Sequence, residues 1–121
     1  TSSDGGLPRF GVGMPHPRSY GSFTRKIRKY VLEDNVVSLE QAIRSMTSLP
    51  ATAFRIRDRG TLRSGAYADV VVFDLDRISD RATYTDPHQY SEGVVHVLVN
   101  GELALRDEEM TGSMSGEVLR R

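Results

Sequence analysis

The chain has 121 residues, a length that suits one small domain with a modest hydrophobic core. It contains no cysteine, which excludes disulfides and thiolate metal ligands and fits a reducing cytoplasm. Its 16 basic and 16 acidic side chains balance, which disfavours a nucleic-acid-binding protein. No apolar run approaches the length of a membrane span, and no signal-peptide pattern opens the chain.

Residues 1–21 predict a loop, because no helical or strand period survives among their glycines and prolines. Function tends to concentrate in such loops when a scaffold holds them. The chain starts at Thr1, inside this loop-like composition and without an initiator methionine, so we expect it to continue on the N-terminal side.

A first helix is predicted over residues 22–34. Its apolar residues recur on one face, at Phe23, Ile27, Tyr30 and Val31. The basic residues Arg25, Lys26, Arg28 and Lys29 take the other positions. Such a cluster can attract phosphate or nucleic acid, but it is more often the solvated face of an amphipathic helix.

Two further helices follow. Ser38 and Gln41 form a capping-box pattern and predict a helix with the apolar stripe Leu39, Ala42, Ile43 and Met46. Pro50 is tolerated in the first turn of a third, short helix, whose expected buried groups are Ala51, Ala53, Phe54 and Ile56.

The pattern changes to β-structure beyond a boundary near Arg59. The valine-rich run over residues 68–74 predicts a strand covered on both faces, and residues 75–93 form a long polar connection. Residues 94–99 predict a second strand. Asn100-Gly101 is a strong hairpin signal, because a type I′ turn needs positive φ at both positions, and residues 102–106 are then the return strand.

Three sequence features together suggest a family. The first is Ser3-Asp4-Gly5 followed by His16-Pro17-Arg18-Ser19-Tyr20-Gly21, the second is the run from Met46 to Ala51, and the third is Gly60 to Gly65 running into Ala68 to Asp74, then Val99-Asn100-Gly101. In this order they resemble the C-terminal segment of N-acyl-D-amino-acid deacylases (D-aminoacylases) in the amidohydrolase superfamily. The third feature is widespread in that superfamily, whereas the first is much narrower.

The resemblance implies an α+β fragment: the last helices of a (β/α)8 barrel followed by part of a small β-sandwich. Residues 1–59 would be the end of the barrel, with its active-site loop, and residues 60–121 the partial sandwich. Active sites of such barrels lie at the C-terminal ends of the strands, where Asp4 would stand. The expected partner is the N-terminal part of the same enzyme.

The resemblance assigns the central chemistry to Asp4. Amide hydrolysis needs an activated water, a polarised carbonyl and a proton for the leaving nitrogen; a divalent metal, expected to be zinc, supplies the first two. Asp4 would be the catalytic base and a possible metal ligand. The other metal ligands would lie outside this chain. The alternative for Asp4 is an aspartate in a glycine-rich turn that bonds to its own backbone.

Three residues are predicted to bind substrate. A D-amino acid carries a free α-carboxylate, which a planar guanidinium matches, and the resemblance gives this role to Arg18. The alternative for Arg18 is a surface arginine in a loop; Pro15 and Pro17, which stiffen the approach, favour the binding role. His16 and Tyr20 are expected either to bind substrate or to pack the loop. His88 and His96 are poor candidates for metal ligands, because neither belongs to a His-x-His or an i, i+4 pair.

The predicted function is therefore part of a metal-dependent hydrolase that cleaves N-acyl-D-amino acids, inactive as an isolated fragment. One alternative is a cyclic-amide hydrolase of the dihydroorotase or hydantoinase kind, which the Gly60–Asp74 feature fits equally well and the His16-Pro17-Arg18 feature does not. Another is a non-catalytic assembly module that self-associates through exposed apolar faces and sheet edges.

Overall fold

A computed structural model describes residues 1–119 of the chain. Helices occupy the first half: α1 (Arg18–Arg25) runs directly into a π-helix (Lys26–Glu33), and α2 (Leu39–Met46) and α3 (Ser48–Ala53) follow. An antiparallel sheet occupies the second half. None of the helices within residues 1–119 combines the length and apolar character that a membrane crossing requires.

The first helix begins at Arg18, earlier than the predicted residue 22. Pro17 already has helical backbone angles, with φ −52° and ψ −26°, and its carbonyl accepts hydrogen bonds from the amides of Tyr20 and Gly21 at 3.0 and 3.1 Å. Proline fixes φ near the helical value, so it favours a helix start here rather than prolonging the loop. Arg18 and Tyr20 therefore lie on a helix and not in a loop.

The predicted apolar face of the first helix is only half buried. Ile27 and Val31 are in the core, but Phe23 and Tyr30 are 45% and 43% exposed. The π-helix has wider hydrogen bonding, seen where the Asp34 amide donates to the Lys29 carbonyl at 2.8 Å. Because this winding changes the angle between successive side chains, the regular helical period misplaces Tyr30.

The capping box of α2 is confirmed. The Ser38 hydroxyl accepts from the Gln41 amide at 3.2 Å, and the Gln41 side chain accepts from the Ser38 amide at 3.3 Å. Ala42 is fully buried, and Pro50 lies in the first turn of α3 as predicted. The expected core of α3 is wrong beyond Ala51, because Ala53 and Phe54 are exposed at the end of this short helix and Ile56 is half-buried.

The residues that the structure describes include four strands in one antiparallel sheet of sequential order: β1 (Val70–Phe73), β2 (Val94–Val99), β3 (Glu102–Arg106) and β4 (Glu109–Met110). The hairpin at Asn100-Gly101 is confirmed, with φ 51° and 87°, and so are the bounds of β2 and β3. β4 was not predicted. It follows a second turn at Asp107-Glu108, where both residues also have positive φ.

The prediction that the valine-rich strand is covered on both faces is wrong within the described chain. Val71 and Val72 point to opposite faces of β1, and they are 55% and 44% exposed. Among the described residues β1 is an edge strand that pairs only with β2, and neither of its faces is fully covered, although Val70 and Phe73 are half-buried. This partly exposed strand carries the apolar pattern of a buried one.

The connection over residues 74–93 contributes to the core, contrary to its polar composition. Ile78, Ala82 and Pro87 are buried, alongside Ile27 and Val31 of the π-helix. The basic face of the first helix holds this segment: the Arg28 guanidinium donates to the carbonyls of Ile78 and Asp76 at 2.8 and 2.7 Å. Arg25 lies 3.1 Å from Asp80. These cations bind groups of the protein itself rather than forming a purely solvated face.

Arg59 joins the helical part to the sheet. Its side chain is only 9% exposed and forms ion pairs with Asp69 and Glu117. It also donates to the Asn100 side chain at 2.6 Å and stacks 4.1 Å from the centre of the Tyr67 ring. Arg59, near which the domain boundary is predicted, thus contacts residues of the β part of the chain. Arg120 and Arg121, the last residues of the predicted second domain, lie outside the described part of the chain.

Candidate functional site

Asp4 and Arg18 contact each other where the loop returns to the start of α1. Oδ2 of Asp4 lies 3.5 Å from Nη2 of Arg18, and the two side chains are 86% and 45% exposed. The return is tight, because a Cβ at Gly5 would lie 2.9 Å from Cα of Ser19. The fold therefore brings a carboxylate and a guanidinium to the same exposed position.

His16 stabilises the start of α1. Its Nδ1 accepts a hydrogen bond from the Arg18 amide at 3.1 Å, so the neutral ring carries its proton on Nε2, which donates to the Tyr84 hydroxyl at 3.2 Å. The first amides of a helix have no partner inside the helix, and the imidazole supplies one. Both ring nitrogens of His16 thus form hydrogen bonds within the chain, and His16 fixes the backbone of Arg18.

Tyr20 points to His88 in the connection segment. Its hydroxyl lies 2.9 Å from Nδ1 of His88, and the two rings meet edge to face with centroids 5.7 Å apart. Phe10 and Tyr90 complete the cluster: Phe10 stacks on Tyr90 at 5.0 Å and meets Tyr20 edge-on at 6.2 Å. In this arrangement Tyr20 packs and anchors the loop.

A shallow depression of about 390 Å³ opens beside these residues. Its lining is formed by both ends of the loop and the first helical turn, namely Gly6, Leu7, Pro8, Pro15, His16, Arg18 and Ser19. A larger depression of about 830 Å³ is lined by residues 54–59 with Tyr67, Glu117 and Leu119. Neither Asp4 nor Arg18 lines the larger one. The smaller depression is therefore the candidate substrate site, because Arg18 lines it and contacts Asp4.

The clearest electrostatic perturbation lies at the Arg59 junction. Burial raises the pKa of Asp69. Hydrogen bonds from the Asn100 amide and the Arg59 guanidinium together lower it by more than burial raises it, so the pKa lies below its usual value. Hydrogen bonding to Asp69 raises the pKa of Arg59. At the start of α2, hydrogen bonds from its own backbone amide and from Ser38 lower the pKa of Glu40. These shifts belong to a structural junction and a helix cap.

The described residues do not make up a metal site. Within residues 1–119, no group of three or more histidine, cysteine, aspartate or glutamate side chains lies close enough to hold an ion. Asp4 contributes one carboxylate, which contacts a guanidinium. Protein metal sites need three or four such ligands, so Asp4 alone does not fit one.

His88 and Tyr84 contact the predicted site residues Tyr20 and His16, and the sequence analysis predicted neither contact. Both lie in the long connection, which reads as polar and carries no recognisable motif. A connection of this length inside a compact domain is itself a signal, since such loops are usually functional. His96, in contrast, lies on β2 as expected and accepts a hydrogen bond from the Asp107 amide at 3.2 Å.

The family of the chain is established by comparison with known proteins. Residues 1–104 match the model of the amidohydrolase family, and the chain therefore belongs to that family. It is 50% identical to an N-acyl-D-glutamate deacylase of Alcaligenes xylosoxydans xylosoxydans over 96% of its length. That alignment spans 23% of the relative, so the chain corresponds to about a quarter of such an enzyme.

Solved structures agree in fold. The N-acyl-D-glutamate deacylase of Bordetella bronchiseptica, crystallised with zinc and a phosphonate inhibitor, is 52% identical with a TM-score of 0.74, over 75% of this chain and 19% of that one. A D-aminoacylase is 39% identical with a TM-score of 0.86, over 89% of this chain and 23% of that one. A dihydroorotase of Lactobacillus acidophilus is more distant, at 34% identity over 60% of this chain and 16% of the relative.

Proposed function

We propose that this chain is the C-terminal part of an N-acyl-D-amino-acid deacylase and supplies its catalytic base and a substrate-binding loop. The observation that carries the proposal is the contact between Asp4 and Arg18 at an exposed depression. Residues 1–59 would belong to the (β/α)8 barrel and residues 60–121 to a β-sandwich. The likeness to deacylases at 50% and 52% identity supports this assignment.

The two side chains suit opposite tasks in amide hydrolysis. The Asp4 carboxylate would take a proton from the attacking water and return it to the nitrogen as the carbon–nitrogen bond breaks. The Arg18 guanidinium would hold the α-carboxylate of the substrate through paired hydrogen bonds. The products are then a carboxylate and a free D-amino acid. His16 would serve by holding the Arg18 backbone, and Tyr20 by anchoring the loop.

The first substrate to test is an N-acyl-D-glutamate. Identity to the N-acyl-D-glutamate deacylase, at 50%, exceeds that to an N-acyl-D-aspartate deacylase, at 42%, and to a D-aminoacylase, at 38%. A divalent metal, zinc first, is proposed for the whole enzyme. Its ligands other than Asp4 would come from residues outside this chain.

The test uses the intact amidohydrolase that contains this segment, with zinc. We expect it to release D-glutamate from N-acetyl-D-glutamate and to leave N-acetyl-L-glutamate intact, measured by chromatography of the amine product. The 121-residue chain alone should show no hydrolysis, and mixing it with the remaining part of the enzyme should restore it. An intact enzyme that prefers dihydroorotate or a hydantoin would contradict the proposal and favour a cyclic-amide hydrolase, the reading that the dihydroorotase likeness supports.

We also propose that the isolated chain self-associates. Val71 and Val72 expose apolar surface on the two faces of the edge strand β1, which is a ready template for another chain. Light scattering should give a mass that rises with protein concentration. A Val72→Lys variant should lower that mass. A monomer at all concentrations would contradict this part of the proposal.

A further inference from the structure

We infer that His88 is a positioning residue of the active site: it holds the loop over residues 9–15 in place from the distant connection segment. The inference rests on the proposed function, because it assigns His88 to the reaction in which Asp4 and Arg18 take part. It adds a residue that lies in neither the predicted site nor the predicted core.

The first observation is that His88 bonds to both sides of one turn. Its Nδ1 accepts from the Gly11 amide at 3.2 Å, and its Nε2 lies 2.9 Å from the Gly13 carbonyl oxygen. A backbone amide can only donate and a carbonyl can only accept, so the ring is neutral with its proton on Nε2. These contacts join residues 75 and 77 positions apart in the chain.

The backbone conformation of the turn allows it to form both hydrogen bonds with His88. Gly11 and Gly13 both have positive φ, at 76° and 71°, and the Val12 amide closes the turn on the Arg9 carbonyl at 3.1 Å. Glycine adopts such angles without steric cost. The turn therefore presents one amide and one carbonyl to a single imidazole, a match that neither an aliphatic nor a carboxylate side chain can make.

A second layer of contacts fixes the ring of His88. The Tyr20 hydroxyl shares Nδ1 with the Gly11 amide at 2.9 Å, and the Phe10 ring meets the imidazole edge-on at 5.6 Å. Tyr20 lies on α1, in the turn that begins with Arg18. His88 thus connects the tip of the loop to the helical turn that carries the predicted carboxylate-binding residue.

A reciprocal pair holds the other end of the loop. His16 of the loop contacts Tyr84 of the connection, whereas Tyr20 of the helix contacts His88 of the connection. His16 also accepts from the Arg18 amide. Two histidine–tyrosine pairs therefore span the same gap on either side of Arg18. Loss of the contacts of His88 would free the tip of the loop without changing the side chain of Arg18.

The experiment compares three variants of the intact enzyme. His88→Phe keeps an aromatic ring but removes both loop hydrogen bonds, and His88→Gln keeps one donor and one acceptor. His96→Phe is the matched control, because His96 lies on β2 and bonds to Asp107. The readouts are amide hydrogen exchange of the peptide that contains Gly11 and Gly13, and KM and kcat for N-acetyl-D-glutamate.

We expect His88→Phe to speed exchange of that peptide by about 10-fold, as the loss of hydrogen bonds implies. KM should rise by about 10-fold and kcat fall by less, because the loop supports binding rather than proton transfer. His88→Gln should lie between wild type and His88→Phe, and it decides the matter if His88→Phe does not fold. His96→Phe should match wild type in loop exchange and KM.

Exchange at the wild-type rate in both His88 variants would overturn the inference, as would faster exchange with unchanged KM. An equal rise of KM in His96→Phe would also overturn it, because the effect on KM would then not be specific to His88. The proposed function fails separately, if wild-type enzyme does not hydrolyse N-acetyl-D-glutamate. In that case the exchange rates still decide whether His88 holds the loop, and its role in the reaction is refuted.

Discussion

The guanidinium of Arg18 contacts the carboxylate of Asp4, so two groups predicted to act on different parts of a substrate lie 3.5 Å from each other. Exposed pairs of this kind contribute about 0–1 kcal/mol to stability. Under the proposed function, the α-carboxylate of a substrate would therefore replace Asp4 at Arg18 at little cost. Binding would then release Asp4 to act as a base, which couples substrate recognition to activation of the catalytic group.

Replacing Asp4 by asparagine in the intact enzyme should lower kcat by about 10²- to 10⁴-fold, because the amide cannot accept the proton of water. KM should change much less. Steady-state kinetics with N-acetyl-D-glutamate measure both. The matched control is Asp34→Asn, which removes another exposed aspartate with a basic partner, Lys29 at 3.1 Å. Full activity of the Asp4 variant would exclude the proposed base.

Replacing Arg18 by lysine should raise KM by about 10- to 100-fold, because a single ammonium cannot form the paired hydrogen bonds of a guanidinium with a carboxylate. The effect on kcat should be smaller. Arg9→Ala removes an exposed arginine from the same loop, outside the depression beside Arg18, and serves as the control. If Arg18→Lys leaves KM unchanged while Arg9→Ala raises it, the loop acts through its general charge and not through the guanidinium of Arg18.

The features predicted from sequence were those that neighbouring residues determine. Ser38 and Gln41 cap α2 through contacts three residues apart, and Asn100-Gly101 forms its turn with its own backbone angles. The hydrogen bonds between His88 and the loop join residues more than seventy positions apart, and no local sequence pattern predicts them. The exposure of Val71 was missed for a related reason: β-branched residues indicate a strand, but what covers the strand depends on the tertiary structure.

Gly93→Ala should destabilise the protein by about 2–4 kcal/mol, the sum of a left-handed backbone and of overpacking. Gly93 has φ 78°, and a Cβ there would lie 2.5 Å from the backbone nitrogen of Ile78. Denaturant unfolding measures the change. Gly116→Ala is the control, because a Cβ at Gly116 meets open space. It should stay within about 0.5 kcal/mol of wild type.

The Arg59 junction should make stability depend on pH in the acid range. The pKa of Asp69 lies below its usual value in the folded state, so its contribution is present above the unfolded pKa of about 3.9 and is lost as pH falls through the lower folded pKa. Asp69→Asn should therefore cost about 1–2 kcal/mol at pH 7 and clearly less once the pH has fallen through the lower folded pKa. Unfolding curves at several pH values test this. An equal cost at all pH values would contradict the linkage.

The partners of Arg59 also have a consequence for the order of events in folding. Asn100 and Glu117 lie 41 and 58 residues further along the chain, so these two contacts of the guanidinium form only after distant parts have met. Contacts of long sequence separation carry a large loop-closure entropy and form late. Interactions absent from the transition state retard unfolding rather than speed folding. We therefore expect the contacts of Arg59 to form after the hairpin and the tail have come together, to slow unfolding and to lengthen the lifetime of the native state.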